Sequence, residues 1–357
     1  MARWRTVLPL MVLTLLLAAV LLVVPSVRSA LPGMTHRATY TNPVIRWDFA
    51  DPSVLKADDG WYYAYSTENL TVERLAYIQA ARSRDLVHWE LLPDAMPEKP
   101  EWASTTRDFW APGVIEDEGR YFMYFSGVHD ERESMCLGVA TSGSPGGPFV
   151  PESEPLRCGD GFENIDPMPF DDQRTGRSLL YWGSDGAPIR VQRLASDRLQ
   201  FAPGSSAKEL VYPDAIQAYE RLVEGAFVVY RNGYYYLFYS GDNCCAAPVS
   251  YAVMVARSKS ATGPFEKRAE ATGEWGGSVI LQMNERWEGP GHNSVIRDEA
   301  GQDWIFYHAI DPEDRYNPGT EAPKRPMLMD PIVYRSGWPE IEKQSPSTTE
   351  RQGPLVR

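Results

Sequence analysis

Basic side chains are scarce in this sequence. Its 357 residues hold 35 Lys and Arg against 48 Asp and Glu, a formal net charge of −13. The balance turns three units more negative if Arg3, Arg5 and Arg28 leave with the N-terminal segment. A surface that acidic repels phosphate backbones and anionic lipid heads, which argues against nucleic acid and peripheral membrane binding and leaves a neutral partner. Cysteine is rare too, limited to Cys136, Cys158, Cys244 and Cys245, and none has the spacing of a zinc site. Helical periodicity is scarce after residue 40. What remains is 43% hydrophobic and 12% aromatic, which excludes a disordered chain and a collagen-like fibre.

A long uncharged run occurs at Val7 to Val24, behind Arg3 and Arg5, and is read as an export signal. Ser29 and Ala30 offer a cleavage site, but the run exceeds the usual ~7–15 residues of a signal-peptide core. As a helix it would reach about 27 Å, close to the ~30 Å of bilayer hydrocarbon. Residues 1–30 are therefore a signal peptide or a signal anchor. Either way the remainder is secreted or extracellular, with membrane contact only through residues 7–24, and a monomer is expected. Export permits disulfides. Cys136 and Cys158 can pair across one sheet, whereas the adjacent Cys244 and Cys245 form either a strained vicinal bond or two thiols. Asn69-Leu70-Thr71 has the form of a glycosylation sequon.

Short aromatic and β-branched runs punctuated by glycine turns fill the rest, and one pattern recurs five times. Asp51-Pro-Ser-Val-Leu precedes Asp59-Gly60 and Trp61-Tyr-Tyr-Ala-Tyr-Ser. The other hairpins begin at Ala111, Asp166, Glu224 and Gly291 and turn at Glu118-Gly119, Thr175-Gly176, Asn232-Gly233 and Ala300-Gly301. Four units continue into a third strand, a Ser-led turn and an aromatic that opens a fourth strand, at Trp89, Phe149, Phe201 and Phe265. Starts 55 to 67 residues apart exceed the ~40–45 of WD40 repeats and lack their Trp-Asp signature. The expectation is all-β: a five-bladed β-propeller in one domain over residues 41–341, with a linker at 31–40 and a loose polar tail at 342–357.

In a propeller the first strand of each blade lines the central channel, so the starts of those strands gather at one mouth. The equivalent positions are read as Asp51, Ala111, Asp166, Glu224 and, one residue past Gly291, His292. A turn explains an aspartate before proline at Asp51 and Asp166 equally well, but it does not explain Glu224. Converging carboxylates repel, and burial penalises their charge, so one pKa should rise while another stays low. That is the equipment of a glycosidase. Phe49, Trp47 and Trp110 offer flat faces for a sugar, although aromatics fill cores as well.

The spaced set Phe49-Ala-Asp-Pro-Ser53, Trp110-Ala-Pro112, Ile165-Asp-Pro167, Glu224-Gly225 with Tyr234-Tyr-Tyr-Leu-Phe238, Gly289-Pro-Gly-His292 and Gly337-Trp-Pro339 resembles glycoside hydrolase family 43. The resemblance covers residues ~42 to 341, and several motifs in one order are far more specific than any single one. It implies an inverting arabinanase, α-L-arabinofuranosidase or β-xylosidase on a five-bladed propeller. Asp51 then matches the general base, Glu224 the general acid, and Asp166 the carboxylate that raises and orients the acid. Phe49, Trp110, Ile165 and Arg325 match substrate-binding positions. His292 matches a histidine that faces a calcium ion in the channel.

Two motifs depart from the pattern: Gly113 stands where many members carry an acid, and Ala226 where proline often follows the glycine. The function expected is an exported inverting hydrolase of α-L-arabinofuranosyl linkages in plant-type polysaccharide or its oligosaccharides. A β-xylosidase, a fructan-cleaving retaining enzyme and a non-catalytic carbohydrate-binding propeller are the alternatives. Insertions at Glu68 to Leu75, Asp94 to Arg107 and Asp311 to Lys324 are the candidates to close one end of a groove.

Overall fold

Five antiparallel sheets, each built from one sequence repeat, form the blades of a β-propeller. The computed structural model describes Met1 and residues 37–71, 74–183 and 185–357. The expected export segment lies outside these residues apart from Met1, and among the described residues no helix is long and apolar enough to cross a membrane. Blade 1 runs through Ser53–Lys56, Tyr62–Ser66, Gln79–Ser83 and Trp89–Leu91. Blade 2 uses Phe109–Asp117, Arg120–Val128, Met135–Ser142 and Val150–Pro151, and blade 3 Met168–Asp172, Arg177–Trp182, Ile189–Arg193 and Lys208–Val211. Blade 4 uses Val223–Arg231, Tyr234–Asn243, Ser250–Ser258 and Glu266–Lys267. Blade 5 uses Glu288–Arg297, Asp303–Ile310, Met327–Arg335 and Trp338–Glu340. One boundary differs from the expectation. Phe201 makes only an isolated bridge to Leu194, and the fourth strand of blade 3 starts at Lys208.

The second strand of every blade is apolar on both faces because it packs against two neighbouring blades. Side chains alternate sides along a strand. Tyr63 and Tyr65 join the cluster shared with blade 2, while Tyr62 and Ala64 join the one shared with blade 5. Tyr121, Met123 and Phe125 face blade 1, and Phe122 and Tyr124 face blade 3. The same division holds for Leu179 and Tyr181 against Leu180 and Trp182, for Tyr235 and Tyr239 against Tyr236 and Phe238, and for Ile305 and Tyr307 against Trp304 and Phe306. The five clusters are thus the five blade interfaces. Full burial of one such side chain is worth about 1.5–3 kcal/mol.

A second device repeats around the channel. Asp51, Ala111, Asp166, Gly225 and His292 all lie in the left-handed region, with φ of 56°, 46°, 59°, 59° and 46°. Strand register shifts beside this residue in blades 2, 4 and 5, the mark of a bulge that re-aims side chains. Four of these backbone N–H groups donate to a side chain on the second strand of the preceding blade. Ala111 N donates to Thr67 Oγ1 at 3.0 Å, Asp166 N to Ser126 Oγ at 3.0 Å, and His292 N to Ser240 Oγ at 2.8 Å. Asp51 N donates to His308 Nδ1 at 3.2 Å and so closes the ring. In blade 3 the corresponding residue is Gly183, which has no side chain to offer, and Gly225 N donates to Asp166 Oδ2 at 3.0 Å instead.

The tail is not loose. Arg351–Gln352 pairs with Thr39–Tyr40, and Val356 is fully buried against the interface of blades 5 and 1. Asn42 bonds Met329 through both its amide atoms, so the two chain ends clasp the last blade. No apolar period was needed: one valine and a backbone ladder fix the segment. Cys136 and Cys158 are bonded across register-paired strands, and Cys244 is bonded to Cys245. Asn69 is buried, which removes it from the reach of a glycan.

Candidate active site

Glu224 stands one residue ahead of the position assigned to it from sequence. The left-handed residue of blade 4 is Gly225, so Glu224 is the counterpart of Ala50, Trp110, Ile165 and Gly291 rather than of Asp51 and Asp166. The bulge hides this register from the sequence, because both residues face the channel mouth. Trp110, Ile165 and Glu224 consequently stand side by side on the wall of one cavity of about 450 Å³, with Asp51, Asp166 and His292 below them. Gly225 is required at its position, since a Cβ there would approach the His292 ring at 3.3 Å in a left-handed backbone. Gly113 answers to packing as well. A Cβ would lie 2.3 Å from the Pro167 carbonyl of blade 3, which leaves no room for a side chain there.

Asp51 is buried beside a hydroxyl, a guanidinium and two imidazoles. The Thr67 hydroxyl donates to its Oδ2 at 2.5 Å, and Arg325 Nη1, His292 Nδ1 and His308 Nδ1 lie 3.5, 3.3 and 3.1 Å from its Oδ1. Burial alone would push the Asp51 carboxyl up; Arg325 first, then the two histidines, overcome it and hold the group well below the usual carboxylate range. Asp166 meets the opposite environment. Burial, and then the charges of Glu224 and Asp51, push its carboxyl well up, with the Gly225 amide a partial offset. Burial pushes both imidazoles down, His308 to about 4, so they stay neutral at pH 7. Glu224 is aimed by Tyr251, whose hydroxyl donates to Oε1 at 2.6 Å and whose ring stacks on His308 at 5.7 Å and 2°.

The site therefore holds one carboxylate that Arg325 favours in its ionised form, and two neighbouring carboxyls: Asp166, pushed up by burial and by the charges beside it, and Glu224, held by a phenol. That set can supply both a proton and a proton acceptor to a bond lying across the cavity.

Phe49 does not reach this cavity. Its ring is fully buried with Val54, Tyr62 and Phe306, edge-on to Trp47, and only its backbone N–H, which donates to the Arg325 carbonyl, bears on the site. Trp110, Ile165 and Arg325 do line the cavity, Arg325 with its guanidinium 3.5 Å from Asp51 Oδ1.

Thr67, Glu68, Tyr251, His308 and Phe162 were not legible as site residues. Tyr251 and His308 come from third and second strands, where the sequence reads as blade core. Phe162 lies flat on Trp110, with ring centroids 5.8 Å apart and planes at 2°, and extends that platform to the surface. Glu68 heads an insertion; burial, and then the charge of Asp108, push its carboxyl up to about 8, and Trp110 Nε1 donates to it at 3.2 Å. Glu68 and Pro323 bring the first and third insertions to the cavity wall, whereas the second is tied to blade 1 through Asp94, which accepts from the backbone of Tyr77 and Ile78.

Calcium takes ~6–8 oxygen ligands. Among the described residues, no group of three or more His, Cys, Asp and Glu side chains is placed to hold a metal. Beside His292, Asn293 has both amide atoms buried without a hydrogen-bond partner along the channel, and one imidazole with one amide oxygen does not make a calcium cage.

The sequence profile of the glycosyl hydrolases family 43 matches residues 40–339. An extracellular exo-α-(1→5)-L-arabinofuranosidase of Cellvibrio japonicus is 27% identical over 320 residues, 83% of this chain and 87% of its own. An extracellular endo-α-(1→5)-L-arabinanase of Bacillus subtilis is 29% identical over 81% of this chain and 86% of its own. A β-D-galactofuranosidase of Aspergillus niger is 31% identical over 79% of both. Among solved structures, a thermostable family-43 glycoside hydrolase superposes with a TM-score of 0.72 at 26% identity, covering 89% of this chain and all of that one. With the profile spanning the five blades and the carboxylates gathered at the channel mouth, the chain belongs to glycosyl hydrolase family 43 and is a glycosidase.

Proposed function

We propose that the protein is an exported, inverting hydrolase of α-L-arabinofuranosyl linkages in arabinan or arabino-oligosaccharides. The observation that carries the mechanism is the arrangement of three carboxyls in one cavity: Asp51 beside Arg325 and bonded by Thr67, apart from the pair of Glu224, bonded by Tyr251, and Asp166, which holds the Gly225 amide. Glu224, aimed by Tyr251, gives its proton to the departing oxygen, while Asp51 draws a proton from a water that attacks the opposite face of the sugar. Asp166 accepts from the Gly225 N–H and so fixes the Glu224-Gly225 backbone. His292 orients Asp51. Trp110 and Ile165 present the apolar wall on which a furanose ring lies. The arabinan-acting names of the relatives support the sugar, and two of them, named extracellular, support export of the chain by its N-terminal run. No step runs through calcium.

A second reading, cleavage of β-D-galactofuranosyl linkages, is favoured by the 31% identity to the Aspergillus enzyme, which acts on another five-membered ring. The test is hydrolysis of linear α-1,5-arabinan, arabino-oligosaccharides and the nitrophenyl α-L-arabinofuranoside, β-D-galactofuranoside and β-D-xylopyranoside, with and without a chelator. Release of arabinose or short arabino-oligosaccharides supports the proposal. Turnover of only the galactofuranoside or the xyloside moves the substrate, and binding without turnover leaves a carbohydrate-binding propeller. Loss of activity with chelator, restored by calcium, would put an ion back into the account.

A further inference from the structure

The reaction as drawn makes no use of the bonded pair Cys244 and Cys245, although both line the same cavity as Asp51, Asp166 and Glu224. The pair sits just past the strand Tyr234–Asn243, where Asn243 Oδ1 accepts from the backbone of Cys245 and Ala246 at 3.3 and 3.1 Å and fixes the turn. Each sulfur-bearing residue touches one half of the machinery. Arg325 Nη1 lies 3.5 Å from Cys245 Sγ and 3.5 Å from Asp51 Oδ1, so one guanidinium edge spans the disulfide and the carboxylate. Cys244 packs with Val249, Tyr251 and Ile310, and Tyr251 is the residue that aims Glu224.

We propose that the Cys244–Cys245 disulfide is a substrate-contacting wall of the active site, a specificity element that offers the sugar a flat, polarizable, donor-free surface. The inference rests on reading the cavity as the glycosidase site. A bonded pair carries no S–H and presents soft, polarizable sulfur to the C–H face of a sugar. It also holds two side chains in one arrangement. Cleaving the bond with a dithiol such as dithiothreitol transfers two electrons and two protons to the pair, giving two thiols while the reductant closes to its own cyclic disulfide. The freed thiols gain rotamers, and a thiolate formed near pH ~8.5 would compete with Asp51 for Arg325. The wall then loses its shape and its neutrality together.

The experiment compares wild type with C244S/C245S, with arabinotriose binding measured by calorimetry and KM and kcat measured on nitrophenyl α-L-arabinofuranoside. Thermal unfolding of both proteins confirms that the variant is folded. The expected result is a weakening of arabinotriose binding and a rise in KM of about tenfold, with kcat within about threefold of wild type. Dithiothreitol should carry wild type to the same KM and leave C244S/C245S unmoved, which separates this pair from the distant Cys136–Cys158 bond. A KM and a binding constant within about twofold of wild type would overturn the proposal. So would a loss confined to kcat, which would make the pair a brace for Tyr251 and not a wall. Should wild type bind arabinotriose yet turn over no glycoside, the hydrolase reading fails while the binding comparison still decides the wall. If a variant with both serines does not fold, C244A/C245A serves in the same comparison, and dithiothreitol on wild type reads the bond without any substitution.

Discussion

At the scale of single residues, the account turns on which carboxyl holds a proton. Glu224→Gln keeps the shape and the bond to Tyr251 but cannot donate a proton as an acid, so kcat on arabino-oligosaccharide should fall by about 10²–10⁴. Dinitrophenyl glycosides, whose leaving group departs without a proton, should lose far less. Equal losses on both substrates would place Glu224 outside the acid role.

Glu68 gives a second prediction, in stability. Its carboxyl sits at about 8 in the folded chain against an ordinary 4.5, so the unfolded chain releases this proton first as pH rises. The folded state therefore loses stability progressively between those two values. Glu68→Gln has no proton to lose, and its melting temperature should match wild type near pH 4.5 and exceed it by a growing margin up to pH 8. A constant difference across that range would show that Glu68 is ionised in its pocket.

At the scale of strands and turns, each left-handed residue at the channel is latched to the blade before it. Ser126→Ala removes the acceptor for the buried Asp166 N–H, which should cost about 1–3 kcal/mol in denaturant unfolding and reduce activity by loosening Asp166. Unchanged stability would show that the latch is incidental.

The hairpins themselves were legible because Asn232-Gly233 and its counterparts name the turn and because alternating aromatics name strands packed on both faces. Asp51 and Asp166 were legible for the same reason, standing before prolines at the head of first strands. The one-residue displacement of Glu224 was not, since a bulge changes which way a side chain points without changing the order of residues. Phe49 misled because an aromatic two residues before Asp51 reads the same in sequence whether it turns to the cavity or to the core. Tyr251 meets Glu224 across the strands of one blade, and His308 meets Asp51 only where the last blade closes on the first; no local pattern carries either contact.

At the scale of the molecule, a ring of blades has no free sheet face but must be shut where its ends meet. Here Arg351–Gln352 lies along Thr39–Tyr40, and Val356 plugs the seam between the last blade and the first. Removing residues 350–357 exposes that seam; the buried valine alone is worth about 1.5–3 kcal/mol, and the truncated chain should melt several degrees lower with the site otherwise intact. A melting temperature equal to wild type would mean that the ring closes without its clasp.

The central claim is that Asp51 activates water while Glu224 protonates the leaving oxygen, and it is tested most directly by proton NMR of the first sugar released from an α-L-arabinofuranosyl substrate, before mutarotation. The account predicts that the β-anomer appears first, the product of a single displacement with inversion. Appearance of the α-anomer first would mean a covalent intermediate and would contradict it.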